Sequence, residues 1–331
     1  MDAVGGGSRM SRPSFPFIVG RGRSGTTLLR AMFDSHPLMA IPGESHFVVN
    51  LGARRQRYDR PGGFQMEPFL QDLLGHFGFV RWGIPAETVT ESFRSGPPRD
   101  LPGAIRRVFG LYARERGKSL YGDKTPNYVM HIGLLATLLP ESRFIHIIRD
   151  GRDVALSYLD GGWGPKGVAG NALYWRRLVG HGREEGRRLG SERYCEVRYE
   201  NLLADPEAEL RGLCRFIDLD FDPVMLRYFE RADILHLMPW GAESHAALTL
   251  PPTKGLRDWR REMRREDVAL FETLAGDLLD ELGYERTTTT RPPRAVRLRA
   301  GKQRIRFQAR YATQRFKKQV RRSTNRPWLV G

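Results

Sequence analysis

Continuous apolar stretches alternate with amphipathic ones along the first part of the chain. Residues 15–20 (FPFIVG) form a short apolar run, as expected for a strand buried on both faces of a sheet. Apolar positions then recur with helical spacing, so residues 26–36 predict a helix that ends before Pro37. A glycine-bearing loop, residues 21–25, joins the two elements.

The same order of elements returns later in the chain. Residues 143–148 (RFIHII) predict a second buried strand, which a glycine-bearing loop connects to a helix at 152–158. Residues 194–199 predict a further strand. Strands that alternate with helices indicate an α/β fold with a central parallel sheet and helices on both faces.

The remaining periodic segments are mostly helical. Residues 51–117 look like a helical insertion with helices at 68–77, 86–93 and 101–116. A short strand is predicted at 119–122. Further helices are predicted at 126–139, 206–217, 223–232 and 267–282.

Charge divides the chain unevenly. The net charge is +16, but residues 286–331 carry 15 of the 54 Lys and Arg residues and no Asp or Glu. The rest holds 39 basic against 38 acidic residues and is nearly neutral. We therefore predict a main domain at 15–285 and a separate basic tail at 286–331. The short, Gly- and Ser-rich N-terminus predicts a disordered leader at 1–14.

Within the tail, apolar residues follow one helical stripe: Ile305, Ala309, Ala312, Phe316 and Val320. A basic amphipathic helix of this kind is compatible with an anionic membrane surface. Nucleic acid or an acidic protein would satisfy the same charges, and a disordered, solvated tail is the remaining alternative. Residues 15–285 contain no motif for reading nucleic-acid bases, which disfavours nucleic acid as the partner.

Two cysteines, Cys195 and Cys214, lack metal-ligand spacing and argue against a disulfide scaffold. No apolar run reaches the roughly 20 residues that a membrane helix needs. The first residues lack the apolar core of a signal peptide. These features predict a cytoplasmic protein, either free or peripheral on a membrane.

The first loop has the spacing of a phosphate-binding loop, G-x-x-x-x-G-x-[ST], from Gly20 to Thr27. Backbone N–H groups and the following helix N-terminus would cradle an anion there. Thr26 stands where an ATPase has its lysine, and no acidic strand end follows to hold Mg²⁺. These absences disfavour a kinase. An ordinary strand–helix turn is the plain alternative.

The second loop adds an arginine and a hydroxyl. Arg149 follows the second strong strand, and Ser157 lies eight residues later in the helix. Such a pair suits a second, separate phosphate group. The alternative is a surface salt-bridge cluster that joins Arg149 to Asp150, Arg152 and Asp153.

The segments around these loops, residues 17–37 (FIVGRGRSGTTLLRAMFDSHP) and 144–158 (FIHIIRDGRDVALSY), resemble the nucleotide-binding motifs of sulfotransferases that use PAPS, 3′-phosphoadenylyl sulfate. The first is similar to the 5′-phosphosulfate loop and the second to the 3′-phosphate motif. The likeness is to tyrosylprotein sulfotransferases and related bacterial enzymes, and covers roughly residues 14–284. It continues through GESHF (43–47), YGDKTP (121–126), RYCEVRYENLLADP (193–206) and KGLRDW (254–259).

The resemblance implies a P-loop-like sulfotransferase fold and roles for individual residues. Glu44 matches the general base, while Arg23 and Lys124 match cations near the transferring group. The residues implied in nucleotide binding are Arg23, Ser24, Gly25, Thr26 and Thr27 at the 5′ side, Arg149 and Ser157 at the 3′-phosphate, and Tyr199 and Lys254 close to the nucleotide.

Other interpretations of the catalytic residues remain open. Glu44 would also serve as a helix-start cap, with His46 or His36 as the base. Lys124 would also form a surface pair with Asp123. A basic residue that tyrosylprotein sulfotransferases place after the motif serine is absent, because Gly161 and Gly162 stand there.

The predicted function is transfer of a sulfuryl group from PAPS to a hydroxyl or amine, with PAP as product and no metal required. The acceptor is open among carbohydrates, glycolipids, phenolic metabolites and peptides. A P-loop-type small-molecule kinase is one alternative. A non-catalytic nucleotide-binding protein, recruited to anionic surfaces by its basic tail, is the other.

Overall fold

The computed structural model describes residues 12–162, 164–231, 248–253, 257–287 and 292–323, with side chains described up to residue 313. The chain divides into two compact units. Residues 1–148 and 181–254 form the sheet unit, and residues 149–180 and 255–331 form the helical unit. The predicted domain boundaries at residues 15 and 286 stay predictions.

The strands are β1 Phe15–Gly20, β2 Met39–Ala40, β3 Asp59–Arg60, β4 Gly63–Phe64, β5 Leu120–Tyr121, β6 Asp123–Lys124, β7 Ser142–Ile148 and β8 Tyr194–Arg198. The helices are α1 Thr26–Ser35, α2 Phe47–Gly52, α3 Arg55–Tyr58, α4 Met66–Leu74, α5 Phe77–Val80, α6 Ala86–Ser95, α7 Leu101–Arg114, α8 Ile132–Leu138, α9 Gly151–Asp160, α10 Gly167–Leu189, α11 Tyr199–Ala204, α12 Pro206–Phe216, α13 Trp259–Glu262, α14 Arg265–Glu281 and α15 Arg294–Ser323. Two 3₁₀ helices span Pro126–Met130 and Pro223–Glu230.

A four-stranded parallel sheet with the order β6-β1-β7-β8 forms the centre of the sheet unit. Side chains alternate between its faces, and the register pairs Phe17 with Phe144 and Ile18 with Ile145. The face of Phe17 is aromatic: its ring stacks on Phe144 with centroids 5.5 Å apart and meets Tyr128 at 6.3 Å. The face of Ile18 is aliphatic and packs on α1 and α12. The predicted α/β fold with a covered parallel sheet is confirmed.

The predicted helical insertion is also confirmed, as α2 to α7. Its helices are joined by an aromatic cluster in which Trp82 lies 5.1 Å from Phe47 and 4.8 Å from Phe109, measured between ring centroids. Such edge-on contacts add to the stabilisation that burial of large rings provides. The insertion is therefore part of the core of the sheet unit.

Three local predictions are wrong. Residues 126–139 form a 3₁₀ helix and then α8, because His131 leaves helical geometry with φ −136°. Residues 223–230 form a 3₁₀ helix that is interrupted by non-helical geometry at Arg227, with φ −103°. Tyr199 is the first residue of α11 and not the last residue of β8, so it lies just beyond the sheet.

The long helix α10 has no counterpart in the sequence predictions, because its glycines suggest loops. In the sheet unit, two of these glycines allow close packing. A Cβ on Gly182 would lie 2.7 Å from the His146 ring, and one on Gly186 would lie 2.3 Å from the Tyr194 ring. Small residues are therefore needed where this helix crosses the aromatic edge of the sheet.

The helical unit contains a fully buried arginine. The Arg152 guanidinium donates to Asp150 at 2.8 Å, to Glu272 at 2.7 Å and to the Glu285 carbonyl at 2.8 Å. It also lies 3.6 Å from the centroid of the Trp259 ring. A buried charge is tolerated when it is paired and fully hydrogen-bonded, as here.

Residues 294–323 of the basic tail form one helix, α15, which packs against α14. Arg304 donates a hydrogen bond of 3.0 Å to the Thr273 carbonyl, and the Arg177 guanidinium lies 3.1 Å from the Tyr311 ring centroid. In the part of the chain that the structure describes, no helix combines the length and apolarity needed to span a membrane.

Candidate functional site

The glycine loop between β1 and α1 depends on close backbone approach. A Cβ on Gly20 would lie 2.5 Å from the Ile147 carbonyl oxygen of the neighbouring strand. Gly25 has φ 94°, and a Cβ there would lie 2.4 Å from the Tyr199 ring. The loop is thus held by β7 on one side and by Tyr199 on the other, and glycine is required at both positions.

The N-terminus of α1 presents donors to an anion. Gly25 provides no side-chain cap, and no acidic residue lies in the first turn. The Ser24 side chain is fully buried, and its hydroxyl has no hydrogen-bond partner among the described residues. Thr26 is buried and Thr27 half-buried. These hydroxyls and the free N–H groups fit a phosphate or sulfate oxygen.

Arg23 occupies the same loop in an unusual backbone conformation. It is half-buried and has φ 70°, a left-handed geometry that is uncommon for residues other than glycine. Strain of this kind persists where the surroundings fix the backbone, which is frequent at ligand sites. The outlier marks the Arg23 backbone as a strained point of the loop, and the role of Arg23 near the transferring group stays a prediction.

The GESHF turn holds Glu44 through contacts on both sides. The Trp82 indole donates to the Gly43 carbonyl at 2.9 Å, and the Ser45 N–H donates to the Thr125 hydroxyl at 3.0 Å. Gly78 of α5 approaches so closely that a Cβ would lie 2.0 Å from the Ser45 carbonyl oxygen. The insertion and the DKTP segment therefore fix the position of Glu44 together.

Glu44 forms an ion pair with Lys124 and contacts the ring of His46. Its oxygens lie 2.8 Å from the Lys124 ammonium and 3.2 Å from the His46 ring, and 37% of its side chain is exposed. Burial raises the pKa of Glu44, but Lys124 and then His46 outweigh it and lower the pKa to about 2. The carboxylate is therefore ionised at neutral pH and able to accept a proton.

Lys124 pairs with Glu44 and not with its neighbour Asp123, so the surface-pair alternative is wrong. Successive residues of a strand point to opposite faces, and both residues of β6 are buried. Burial raises the pKa of Asp123 to about 6, against smaller lowering effects of Ser45 and Thr125.

Sequence reasoning missed Asp123 and the hydroxyls beside it. Ser45 shares a hydrogen bond of 2.9 Å with the Tyr128 hydroxyl. The only signal in the sequence is that Ser45 and Asp123 stand within the GESHF and YGDKTP motifs. Motif membership does not reveal that these residues meet in the core.

His36 is an unsuitable base because both ring nitrogens are committed to the backbone. Nε2 lies 2.9 Å from the Asp220 carbonyl oxygen, and Nδ1 accepts from the Leu38 N–H at 3.1 Å. These contacts fix one neutral tautomer, with the acceptor nitrogen occupied. Burial lowers the pKa of His36, which agrees with a neutral structural ring.

In the helical unit, Arg149 lies 3.7 Å from Asp153. Asp153 and Ser157 are four residues apart on α9 and therefore lie on one face of the helix. The Trp259 N–H donates to Asp153 at 2.9 Å, so the described end of the KGLRDW segment packs on this helix. Asp150 and Arg152 are buried rather than exposed, which contradicts a surface salt-bridge cluster.

The sheet unit thus brings together Glu44, Lys124 and His46, and separately Gly25 and Tyr199. Lys254 lies outside the described residues. Within the described ranges, no group of three or more His, Cys, Asp and Glu residues is placed to hold a metal ion. The prediction that no metal is required remains a prediction.

Comparisons with known proteins identify relatives. Residues 16–223 match the model of the sulfotransferase family. Nodulation protein NoeE of Sinorhizobium fredii is 26% identical over 299 residues, covering 83% of this chain and 67% of that protein. An omega-hydroxy-beta-dihydromenaquinone-9 sulfotransferase of Mycobacterium tuberculosis is 25% identical over 337 residues, covering 86% and 77%. Protein-tyrosine sulfotransferase 2 of Gallus gallus is 24% identical over 221 residues, covering 65% and 53%.

Solved structures share the fold. The sulfotransferase domain from the Synechococcus PCC 7002 olefin synthase superposes with a TM-score of 0.59 at 24% identity, covering 82% of this chain and 94% of that one. The sulfotransferase domain from the curacin biosynthetic pathway gives a TM-score of 0.55 at 21% identity, covering 83% and 99%. The resemblance inferred from the motifs is confirmed at the level of family and fold.

Proposed function

Because this chain belongs to the sulfotransferase family, we propose that it transfers a sulfuryl group from PAPS to a hydroxyl or amine acceptor. The observation that carries the proposal is the contact of 2.8 Å between Glu44 and Lys124. Lys124 lies in β6, paired with Ile18 of β1, and β1 leads directly into the glycine loop. A carboxylate and a cation are therefore held at the strand that carries the anion-binding loop.

The donor-binding residues follow from the loop geometry and the motif resemblance. We propose that Ser24, Gly25, Thr26 and Thr27 hold the 5′-phosphosulfate. The buried hydroxyl of Ser24 supports this assignment, since a buried polar group without a partner is costly. Arg149 and Ser157 are assigned to the 3′-phosphate, and Tyr199 and Lys254 to the nucleotide, on the motif resemblance.

In the proposed reaction, the acceptor oxygen or nitrogen attacks the sulfur atom as its proton passes to the Glu44 carboxylate. The bond between sulfur and the bridging oxygen breaks, and its electron pair stays on the phosphate of PAP. Arg23 and Lys124 stabilise the negative charge that develops on the sulfuryl and bridging oxygens. Sulfated acceptor and PAP are the products, so atoms and charge balance.

The ion pair with Lys124 makes Glu44 a weak base before the donor binds, because it lowers the pKa of Glu44 to about 2. An incoming phosphosulfate offers Lys124 a second anionic partner. As Lys124 shares its charge with that group, the pKa of Glu44 rises toward its ordinary value of 4.5. Donor binding would thus strengthen the base before the acceptor is deprotonated.

The favoured acceptor is a hydroxyl group, and two observations support it: the names of relatives and the presence of a carboxylate base. The relatives named for an omega-hydroxy menaquinone and for protein tyrosine carry hydroxyl acceptors in their names. A single carboxylate base serves a hydroxyl of either kind. For this chain, the acceptors remain carbohydrate, glycolipid, phenolic metabolite and peptide.

Two measurements test the proposal. Calorimetric titration with PAP in EDTA should give micromolar or tighter affinity, and PAP at a hundredfold excess over its Kd should add about 2.7 kcal/mol of stability. Incubation with ³⁵S-labelled PAPS and cell extract should yield a labelled product, and less of it with Glu44→Gln as the impaired control. Preference for ATP with strict magnesium dependence would favour a kinase and contradict sulfuryl transfer.

A further inference from the structure

The helix α15 has one face packed and one face exposed. Its less exposed positions are Val296, Arg297, Ala300, Gln303, Phe307 and Tyr311, which recur every three or four residues after the first pair. Ala300 is fully buried, and the contacts of Arg304 and Tyr311 fasten this face to the rest of the helical unit. The helix therefore keeps its place without help from its other face.

The opposite face carries large apolar side chains in solvent. Leu298 and Ile305 are each 69% exposed and lie two helical turns apart, with exposed Ala309 on the same side. Exposed cations surround them at Arg294, Lys302 and Arg306. These last three with Leu298 and Ile305 form the exposed face of α15, and residues 294–323 contain no Asp or Glu.

The exposed apolar and cationic side chains of α15 together favour one kind of anionic partner over another. A nucleic acid would neutralise the cations but would leave Leu298 and Ile305 in water. An anionic bilayer accommodates both kinds of side chain, because apolar residues enter the acyl boundary while the arginine and lysine heads stay among the phosphates. Isolated apolar residues on a surface are ordinary, but two on one face ringed by cations match an interfacial helix.

We propose that the exposed face of α15 docks on an anionic lipid bilayer. Leu298 and Ile305 enter the headgroup boundary, and Arg294, Lys302 and Arg306 bind lipid phosphates. The packed face continues to hold the helix on α14, so docking requires no folding of the segment. The proposal is independent of the sulfuryl-transfer chemistry.

Vesicle flotation of the full chain tests this proposal. The probes are vesicles of phosphatidylcholine with 30% phosphatidylglycerol and vesicles of phosphatidylcholine alone, at low and high salt. We expect binding to the anionic vesicles only, weakened by salt. Leu298→Ser with Ile305→Ser should weaken binding by about tenfold or more, and Arg294→Gln with Lys302→Gln and Arg306→Gln by about a hundredfold.

Matched controls lie in the sheet unit. Val80→Ser with Leu250→Ser removes apolar side chains that are 62% and 51% exposed, and binding should change less than about twofold. The charge control removes three exposed arginines: Arg60→Gln, Arg94→Gln and Arg99→Gln. PAP titration and the melting temperature of each variant separate loss of docking from loss of fold or of donor binding.

Three results would overturn the proposal. The first is that the native chain fails to bind anionic vesicles. The second is that the serine pair binds as tightly as the native chain, which would reduce the interaction to charge alone. The third is that duplex nucleic acid displaces the vesicles and binds equally well after the serine substitutions, which would favour a nucleic-acid surface.

Discussion

Replacing Lys124 with methionine tests whether Glu44 is the base and whether its basicity is set by the ion pair. Lys124→Met keeps the unbranched chain except for its terminal atom and removes the charge 2.8 Å from the Glu44 carboxylate. Burial, which raises the pKa of Glu44, would then be opposed only by His46. The pKa of Glu44 should therefore rise from about 2 toward or above its ordinary 4.5.

The direction of the pH effect follows from the role of a base. A general base must be deprotonated, so activity is lost as the pH falls through its pKa. In the native chain the pKa of Glu44 is about 2 before the donor binds and, by the proposal above, rises no further than about 4.5 with donor bound, so its acid limb should stay at or below the low end of the range from pH 4.5 to 8. In Lys124→Met the limb should enter that range, with turnover falling about tenfold per pH unit below the new pKa. The maximum turnover should also be about 10²–10³-fold lower, because a stabilising cation is missing.

The assay is product formation from saturating PAPS between pH 4.5 and 8, with an acidic phenol and an aliphatic alcohol as acceptors. His46→Gln removes the smaller lowering effect on Glu44 and should shift the limb less than Lys124→Met. Glu44→Gln should lose about 10²–10⁴-fold in turnover with the alcohol and less with the phenol, which releases its proton more easily. PAP titrations at each pH show whether donor binding has changed.

Two results would refute this reasoning. One is a flat profile for Lys124→Met down to pH 4.5 while turnover is still measurable. The other is native turnover of Glu44→Gln with the alcohol, which would direct attention to His46. Because the pKa of Asp123 is about 6, a limb near that pH that disappears in Asp123→Asn belongs to Asp123 and not to Glu44.

Three further predictions concern individual positions. Burial raises the folded-state pKa of Asp123 from 3.8 to about 6, so the protonated carboxyl favours the fold and that stability is lost as pH rises from about 4 to 6. Relative to the native chain, the free energy of unfolding of Asp123→Asn should therefore be up to roughly 3 kcal/mol higher at pH 8 than at pH 4, as measured by denaturation. The same difference between the two chains at both pH values would contradict this. Arg149→Ala should weaken PAP by about 1.5–3 kcal/mol but barely affect a nucleotide that lacks the 3′-phosphate, and equal losses for both ligands would make Arg149 structural. Gly25→Ala should lower the free energy of unfolding by about 1–3 kcal/mol, because the φ of Gly25 is 94°. It should also weaken PAP binding, because the added Cβ clashes with the Tyr199 ring. Gly62→Ala, at φ 101° with open space around it, is the strain-only control and should leave PAP affinity unchanged.

The central strands were predictable because a short run of apolar residues favours a buried strand over other secondary structure. The run at 15–20 is apolar throughout and ends in glycine, and it forms β1 with the same bounds. The strand at 123–124 was not predicted, because two residues carry no periodicity and its burial comes from pairing with β1. Asp123 is buried because β6 pairs with β1, so its burial was not predicted either.

For the candidate site, the sequence assigns roles to single residues, which stay predictions, but it does not show how those residues are arranged. The motif resemblance assigned roles to Glu44 and Lys124, which stand 80 positions apart. Nothing in the sequence shows that they form an ion pair, because this contact depends on the turn that Trp82 and Thr125 hold in place. In α15 the described members of the predicted apolar stripe, Ile305, Ala309 and Ala312, prove to be exposed, since contact with α14 selects the stripe of Ala300 and Phe307 for packing.

The buried guanidinium of Arg152 ties together residues that are distant in sequence. Its donors reach Asp150 and Glu272, 120 positions away, and no other side chain supplies a planar fork with the same directions. A mutation that removes Glu272 takes away one buried acceptor and leaves Asp150 as the only carboxylate paired with Arg152 among the described contacts, and one that removes Arg152 leaves two carboxylates buried without their shared cation. Single changes at these positions should therefore be eliminated by selection. Among chains of this fold, positions 152 and 272 should covary, so that a deep family alignment would reveal their contact without any structure.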